Sequence, residues 1–135
     1  MEEKGGKMAL NSKNRKKCLY YTIPLKKLDG DFDGFMKQLY DNDIECMGVV
    51  HDKSKNVKPH CHIVVVASST SNNFREMFPV VSDGTLTVQI PEVIAYLLHY
   101  SKYTEGEKYE LSALRTNIDL KEYRNDILKH GISLS

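Results

Sequence analysis

The feature that most constrains this chain is the run HCHIVVVAS at residues 60–68, because it predicts a buried β-strand that begins with two histidines. Its β-branched residues favour strand geometry, and its length suits a strand better than a helix. Side chains alternate along a strand, so His60 and His62 face the same side. Ile63 and Val65 face the other side, which we expect the helices to cover. The sheet must therefore carry two imidazoles side by side on one face.

Turn and capping signals divide the rest of the chain into further elements. Strands are expected at residues 18–25, 44–53, 60–68 and 84–90, and helices within 30–43, 69–78, 91–103 and 116–131. The loop between the second and third strands is short, which makes those strands antiparallel neighbours. The order β-α-β-β-α-β-α-α predicts an α+β fold, in which an antiparallel sheet has helices packed on one face, close to the ferredoxin-like split βαβ pattern.

The N-terminal residues differ in composition from the rest of the chain. Residues 1–17 contain six basic and two acidic side chains, although the net charge of the whole chain is only +1. We expect residues 1–14 to form a basic, disordered arm and residues 15–135 to form one domain. Such an arm serves either as a solubilising tail or as a contact for the phosphates of nucleic acid.

Composition places the chain among soluble globular proteins and predicts a cytoplasmic location. The 135 residues are 41% hydrophobic and 27% charged, with no apolar run long enough to span a bilayer and no visible signal peptide. We therefore expect no membrane partner. The cysteines are odd in number and are expected to be reduced thiols: Cys18, Cys46 and Cys61.

Three histidines are expected to meet at one end of the predicted hairpin. His51 ends the second strand, across the loop from His60 and His62, and Asp52 lies beside it. Imidazoles in this arrangement can share one metal ion at about 2.0–2.1 Å per bond and leave positions open for a substrate oxygen. Histidine ligands suit Mn, Zn, Ni or Co better than Mg or Ca. The alternative is a set of surface histidines on the polar face of a strand.

A tyrosine on the helix PEVIAYLLHYSK is a candidate nucleophile. At 100° per residue, three apolar side chains form the stripe that this helix buries: Ile94, Leu97 and Leu98. Tyr96 lies on the open side of the helix, and His99 is close to it, three residues further along. The alternative is an amphipathic helix that carries surface tyrosines.

The loop between the two histidine-bearing strands carries three lysines, Lys53, Lys55 and Lys58. As phosphate contacts, they would place DNA at the mouth of the metal site. The alternative is that they are ordinary solvated loop side chains.

These segments together resemble one family of DNA-cleaving enzymes. HCH followed by apolar residues resembles the His-hydrophobic-His motif of HUH endonucleases. AYLLH, later in the chain, resembles the YLTH-type tyrosine motif of plasmid rolling-circle replication initiators, and VVHDK resembles the LHDKD segment of the same family. The resemblance covers residues 45–103 and lies in the order and joint spacing of the three motifs.

The resemblance implies an HUH endonuclease fold and a divalent metal, Mn²⁺ or Mg²⁺. His60 and His62 match the motif ligands, His51 matches a third ligand, and Tyr96 matches the tyrosine that nicks single-stranded or hairpin DNA at a plasmid replication origin. His99 would then position that tyrosine or carry its proton. The family's second acid is replaced here by Ser54, so Asp52 or water would have to supply the fourth ligand.

The resemblance also implies partners beyond the DNA. Host replication proteins would meet the initiator at the origin, and oligomerisation would use a region that follows the nuclease domain in this family and is absent from this chain.

Other classes of protein remain open from the sequence. A non-catalytic module could keep the fold and bind origin DNA, and relaxases and single-strand transposases share the HUH core. A cupin-type metal site would need a glutamate shortly after the histidine pair, where the chain has Val65 and Val66.

Overall fold

The computed structural model describes residues 15–53, 56–70, 83–101, 104 and 106–134. The expected arm at 1–14 lies outside the described residues, as does most of the helix expected within 69–78.

A five-stranded antiparallel sheet forms the centre of the fold, with the strand order β4-β1-β3-β2-β5. Its strands are β1 Arg15–Pro24, β2 Cys46–His51, β3 His60–Val66, β4 Gly84–Gln89 and β5 Arg115–Thr116. Strand β3, the apolar run that opens with the two histidines, is hydrogen-bonded on both sides because it lies between β1 and β2. This insertion of β3 between β1 and β2 is the split βαβ arrangement that the element order predicts.

The start of β1 and the presence of β5 differ most from the sequence-based expectation, and the other strand boundaries shift by up to two residues. Strand β1 begins at Arg15 rather than Cys18, because its basic first residues pair with β4, as in the pair Arg15 and Gln89. Strand β5 was not predicted, since its two residues form a strand only by pairing with Met47 and Gly48 of β2. Both differences depend on long-range pairing that no local pattern reveals.

Three α-helices accompany the sheet in the described residues: α1 Phe32–Asp41, α2 Ile90–Leu97 and α3 Arg124–Lys129. Helix α1 begins where the Asp31 side chain accepts a hydrogen bond from the Gly34 N–H at 3.0 Å. Helix α2 ends well before the expected residue 103, because His99 adopts a left-handed φ of 66°.

Apolar side chains cover both faces of the sheet. One cluster packs α1 against the face that carries Ile63 and Val65, and the other packs α2 and α3 against the face that carries Val64 and Val66. The α+β class and the antiparallel sheet are confirmed. The helices are divided between the two faces, rather than packed on one, because β3 is apolar on both sides beyond its histidines. Burying each Val or Ile side chain completely stabilises the fold by roughly 1.5–3 kcal/mol, so both sides of β3 favour a covering helix.

The histidines of β3 therefore lie on the face that α2 covers. His60 and His62 share that face with Val64 and Val66, so the buried cluster under α2 continues into a polar end of the same sheet face. Within the described ranges, no helix has both the length and the apolar character needed to cross a bilayer.

Candidate metal centre

Strand register brings three histidines together at one end of the sheet. His51 of β2 is paired directly with His60 of β3, and His62 lies on the same face two residues further along β3. One ring nitrogen from each of His51, His60 and His62 lies within 4.8 Å of the others. The meeting of these three side chains, expected from the hairpin, is confirmed.

The spacing of the ring nitrogens suits a single ion. The Nε2 atoms of His60 and His62 are 3.1 Å apart. Two nitrogens bound to one ion at 2.0–2.1 Å lie roughly 2.8–3.4 Å apart, for bond angles between octahedral and tetrahedral values. The ring of His51 completes the group, with its centroid 4.4 Å from that of His62. The three imidazoles therefore need little rearrangement to share a metal.

The outer nitrogens of two of these rings are held by backbone carbonyls. His51 Nε2 lies 2.7 Å from the Leu97 carbonyl oxygen, and His60 Nδ1 lies 2.9 Å from that of Lys58. A carbonyl oxygen only accepts, so each of these nitrogens carries the proton and donates it. The other nitrogen of each ring keeps its lone pair, which is the arrangement found in histidines that bind metal.

His62 is held by two hydroxyl groups of the neighbouring strand β1. Its Nδ1 lies 2.5 Å from Tyr20 Oη and 3.1 Å from Thr22 Oγ1. Burial lowers the pKa of His62 to about 3, and repulsion from His51, His60 and His99 adds to the effect. Burial also lowers the pKa of His51. Both rings are therefore neutral near pH 7, which is the form that binds metal.

A tyrosine that sequence reasoning missed supports His51. Tyr109 is buried and stacks on the His51 ring, with centroids 5.0 Å apart and planes 23° apart. Its hydroxyl oxygen accepts the backbone N–H groups of Asp52 and Lys53 at 3.0 and 3.1 Å. Tyr109 lies in the segment TEGEKYE, which has the composition of a break between helices, so no local signal marks it.

Sequence reasoning also missed the contact of Tyr20 and Thr22 with His62, and the sequence contains only part of the information that predicts it. Tyr20 and Thr22 share one face of β1, as alternate residues of a strand do. Their contact with His62 depends on the register that pairs Thr22 with His62 and places Tyr20 diagonally across from it. A single sequence shows the alternation but not the register.

Tyr96 stands beside this centre and is partly open to solvent. Its side chain is 44% exposed, as the helical period predicts. Its ring meets the edge of the Tyr20 ring at a centroid distance of 6.3 Å and an angle of 76°. The Tyr20 ring in turn stacks on that of His62, with centroids 5.5 Å apart. One aromatic residue thus connects Tyr96 to the histidine group.

His99 lies against the histidine group. Its centroid is 4.4 Å from that of His51, and its Nδ1 donates to the Glu107 carbonyl oxygen at 2.8 Å. A side chain on Gly106 would contact the His99 ring at 3.4 Å, so the loop packs closely on it. The predicted role of His99 in handling the Tyr96 proton stays a prediction.

The remaining predicted site residues lie at the edge of this centre. Asp52 is exposed and contributes no atom to the histidine group, so its role as a ligand stays a prediction without support from the geometry. Lys53 Nζ lies over the Tyr109 ring at 4.7 Å and donates to the Lys108 carbonyl oxygen at 3.2 Å. Lys58 is exposed. Lys55 and Ser54 lie outside the described residues.

A groove opens on the same face next to Tyr96. It has a volume of about 690 Å³, and apolar side chains from β3, β4 and α2 form much of its wall. Aromatic and titratable groups at its border include Tyr20, Tyr96, Tyr100, Glu92 and His130. The groove gives a ligand room beside the phenol of Tyr96.

No family model matches the chain, and no curated protein or solved structure matches it either.

Proposed function

We propose that this chain is a metal-dependent HUH-type endonuclease, which nicks and rejoins single-stranded DNA at a plasmid replication origin and thereby starts rolling-circle replication. The observation that carries the proposal is the joint placement of three histidines and one exposed tyrosine, linked through Tyr20. A metal site alone would fit many proteins. A solvent-accessible phenol beside it fits a reaction in which tyrosine attacks a phosphodiester.

The donor set fits a divalent ion of the first transition series. Three imidazoles can each offer one nitrogen to an ion, and two of them donate the outer N–H to a backbone carbonyl. Such a site leaves coordination positions for a substrate. Imidazole suits Mn, Zn, Ni and Co better than Mg, so of the two ions implied by the resemblance we favour Mn²⁺ over Mg²⁺. When bound, such an ion supplies Lewis acidity at a non-bridging oxygen of the scissile phosphate.

The residues of the chain account for the nicking step. The Tyr96 oxygen attacks phosphorus in line with the leaving oxygen, so the Tyr96 O–P bond forms and the P–O3′ bond breaks. The phenol proton passes to solvent, to which Tyr96 is exposed, and the departing 3′ oxygen takes up a proton from solvent to become a hydroxyl. One phosphodiester replaces another, so the reverse attack by a 3′-hydroxyl rejoins the strand and releases Tyr96.

Binding of the DNA strand has an electrostatic and an aromatic part. Lys58 is exposed beside the histidine pair and can contact a phosphate, and we expect the same of Lys53 and Lys55. Tyr100 borders the groove and offers a ring on which an unpaired base can stack. The net charge of only +1 predicts modest affinity that falls as salt rises.

A covalent adduct tests the proposal. The protein is incubated with Mn²⁺ and a pool of hairpin oligonucleotides with randomised single-stranded loops, and the products are separated under denaturing conditions. We expect an adduct that survives denaturation, that Tyr96→Phe abolishes, and that EDTA prevents. Tyr100→Phe is the matched control and should keep the adduct, since Tyr100 has no assigned bond to phosphorus. An adduct that persists in Tyr96→Phe would contradict the assignment.

A further inference from the structure

Tyr109 contacts two neighbouring parts of the site at once. It follows helix α2 in a stretch that forms neither helix nor strand, yet its side chain is only 5% exposed. Its backbone N–H donates to the Leu98 carbonyl oxygen at 3.0 Å, and the preceding carbonyl, that of Leu97, is the one that His51 contacts. A buried aromatic residue outside regular structure is held by its tertiary contacts, and those of Tyr109 reach both His51 and the start of the lysine-bearing loop.

We propose that Tyr109 is a positioning residue with two separable roles: its ring fixes the orientation of the His51 imidazole, and its hydroxyl fixes the backbone from which Lys53 extends towards a DNA phosphate. The second role rests on the proposed function. The first role requires only that the three histidines bind a metal ion.

The ring of Tyr109 supplies a restraint that a hydrogen bond alone does not. His51 Nε2 contacts the Leu97 carbonyl oxygen at 2.7 Å, which fixes one point of the imidazole. The imidazole can still turn about that point, because the second side-chain torsion of histidine is broad. The Tyr109 ring lies against its face, with centroids 5.0 Å apart and planes 23° apart. This stack blocks the rotation and keeps the opposite nitrogen of His51 directed at His60 and His62.

The hydroxyl of Tyr109 fixes the chain immediately after β2. Its oxygen accepts the backbone N–H groups of Asp52 and Lys53 at 3.0 and 3.1 Å, so both acceptor positions of the hydroxyl are used. The Lys53 side chain folds back over the same ring, with Nζ 4.7 Å from the ring centroid and 3.2 Å from the Lys108 carbonyl oxygen. An ammonium group has three N–H donors, so Lys53 keeps donors for a phosphate while these contacts set its position.

Two substitutions separate the two roles. Tyr109→Phe removes the hydroxyl and keeps the stacked ring. Tyr109→Met removes both, and the flexible methionine side chain fills irregular apolar space well. Tyr123→Met is the matched control, because Tyr123 packs against the same apolar cluster and lies outside the histidine group.

The first test is calorimetric titration with Zn²⁺ of variants whose circular dichroism matches that of wild type. We expect Tyr109→Phe and Tyr123→Met to bind Zn²⁺ within about threefold of wild type, and Tyr109→Met to bind it about 10- to 100-fold more weakly, as when other partners that orient a metal ligand are removed. Wild-type affinity in Tyr109→Met, or an equal loss in Tyr109→Phe, would overturn the role of the ring.

The second test uses the conservative Tyr109→Phe variant, so it does not depend on whether Tyr109→Met folds. Binding of a fluorescent single-stranded oligonucleotide of random sequence is followed by anisotropy as salt is raised, in EDTA to prevent nicking. We expect the slope of log affinity against log salt to become shallower by up to about 0.7 in Tyr109→Phe, the value for one phosphate contact on a single strand.

A Lys53→Ala background shows whether the hydroxyl acts through Lys53. In that background, Tyr109→Phe should cause no further change in slope, because the contact that it positions is already absent. An unchanged slope in the wild-type background, or the same change in both backgrounds, would overturn the role of the hydroxyl.

The two proposals fail in different ways. Wild-type protein that forms no adduct with any oligonucleotide contradicts the nuclease function, whereas the Zn²⁺ titration still tests the role of the Tyr109 ring. Wild type that forms the adduct, together with unchanged Zn²⁺ affinity in Tyr109→Met and an unchanged salt slope in Tyr109→Phe, contradicts the roles of Tyr109 alone.

Discussion

At the scale of single residues, the candidate centre depends on which nitrogen of each imidazole is already occupied. His51 and His60 donate from their outer nitrogens to the carbonyl oxygens of Leu97 and Lys58, and His62 contacts two hydroxyls of β1. These bonds orient the rings without any metal, so the three side chains lose little further conformational freedom when an ion binds. The residue types could be predicted from the sequence, but their partners could not.

Loss of one ligand should weaken metal binding strongly. We expect His60→Asn to reduce the affinity for Zn²⁺ or Mn²⁺ by at least about 100-fold, since even partners of metal ligands contribute 10- to 100-fold. Isothermal titration calorimetry measures the effect. His130→Gln is the control, because His130 is exposed and lies outside the histidine group. Equal affinities in the two variants would remove His60 from the site.

The stability of the metal-free protein should depend on the proton uptake of His62. Its pKa of about 3 in the folded protein lies below the ordinary value of 6.5, so the unfolded chain binds more protons between these values. Stability is therefore fully present above pH 6.5 and falls as the pH decreases towards 3. Between pH 7 and pH 5, the contribution of His62 should decrease by about 2 kcal/mol.

Urea unfolding at pH 7 and pH 5 measures this dependence, in a range above the ordinary pKa values of carboxyl groups. His62→Gln should lose less stability than wild type over the same interval, whatever its stability at pH 7. An identical loss in both proteins would show that His62 is protonated in the folded state as easily as in the unfolded one.

At the scale of elements, the helices lie on two faces of the sheet, so a helix on one face can stabilise the fold without contacting the histidine group on the other. Helix α1 packs on the face opposite the histidines, whereas α2 ends against His51 through the Leu97 carbonyl. Strands β2 and β3 and the start of α2 follow local patterns, so the sequence predicts them well. The end of α2 and the two-residue β5 do not, because a left-handed His99 and a long-range pairing determine them.

Removal of the α1 cap should therefore affect folding but not metal binding. Asp31→Ala deletes the acceptor of the Gly34 N–H and should cost about 1 kcal/mol in the free energy of unfolding. Urea denaturation measures the loss, and calorimetric titration with Zn²⁺ should give an unchanged affinity. A clear change in affinity would show that α1 and the opposite face of the sheet are not independent.

At the scale of the whole molecule, the candidate ligands lie on two strands, and the residues that contact them come from segments far apart in sequence. Tyr20 comes from β1, Leu97 from the end of α2, and Tyr109 from the segment that follows it. The histidine triad could be predicted because two strands joined by a short loop must be neighbours. Tyr20 and Tyr109 could not, since their contacts exist only once the complete sheet and α2 have assembled.

Metal should accordingly stabilise the folded state as a whole. An ion that binds only the folded protein adds about 2.7 kcal/mol at a concentration of 100 times its dissociation constant. Thermal unfolding followed by circular dichroism should show a higher Tm with Zn²⁺ or Mn²⁺, reversed by EDTA. His60→Asn should show little of this increase, and an equal increase in that variant would place the ion elsewhere.

The central claim is that one phosphodiester can reach both the histidine group and the Tyr96 oxygen. Mass spectrometry of the digested adduct, formed with Mn²⁺ and the oligonucleotide pool, tests this claim most directly. The account predicts a nucleotide attached through its 5′-phosphate to Tyr96. A nucleotide found on Tyr100 or on Tyr20 would contradict it, and so would wild-type protein that forms no adduct at saturating Mn²⁺.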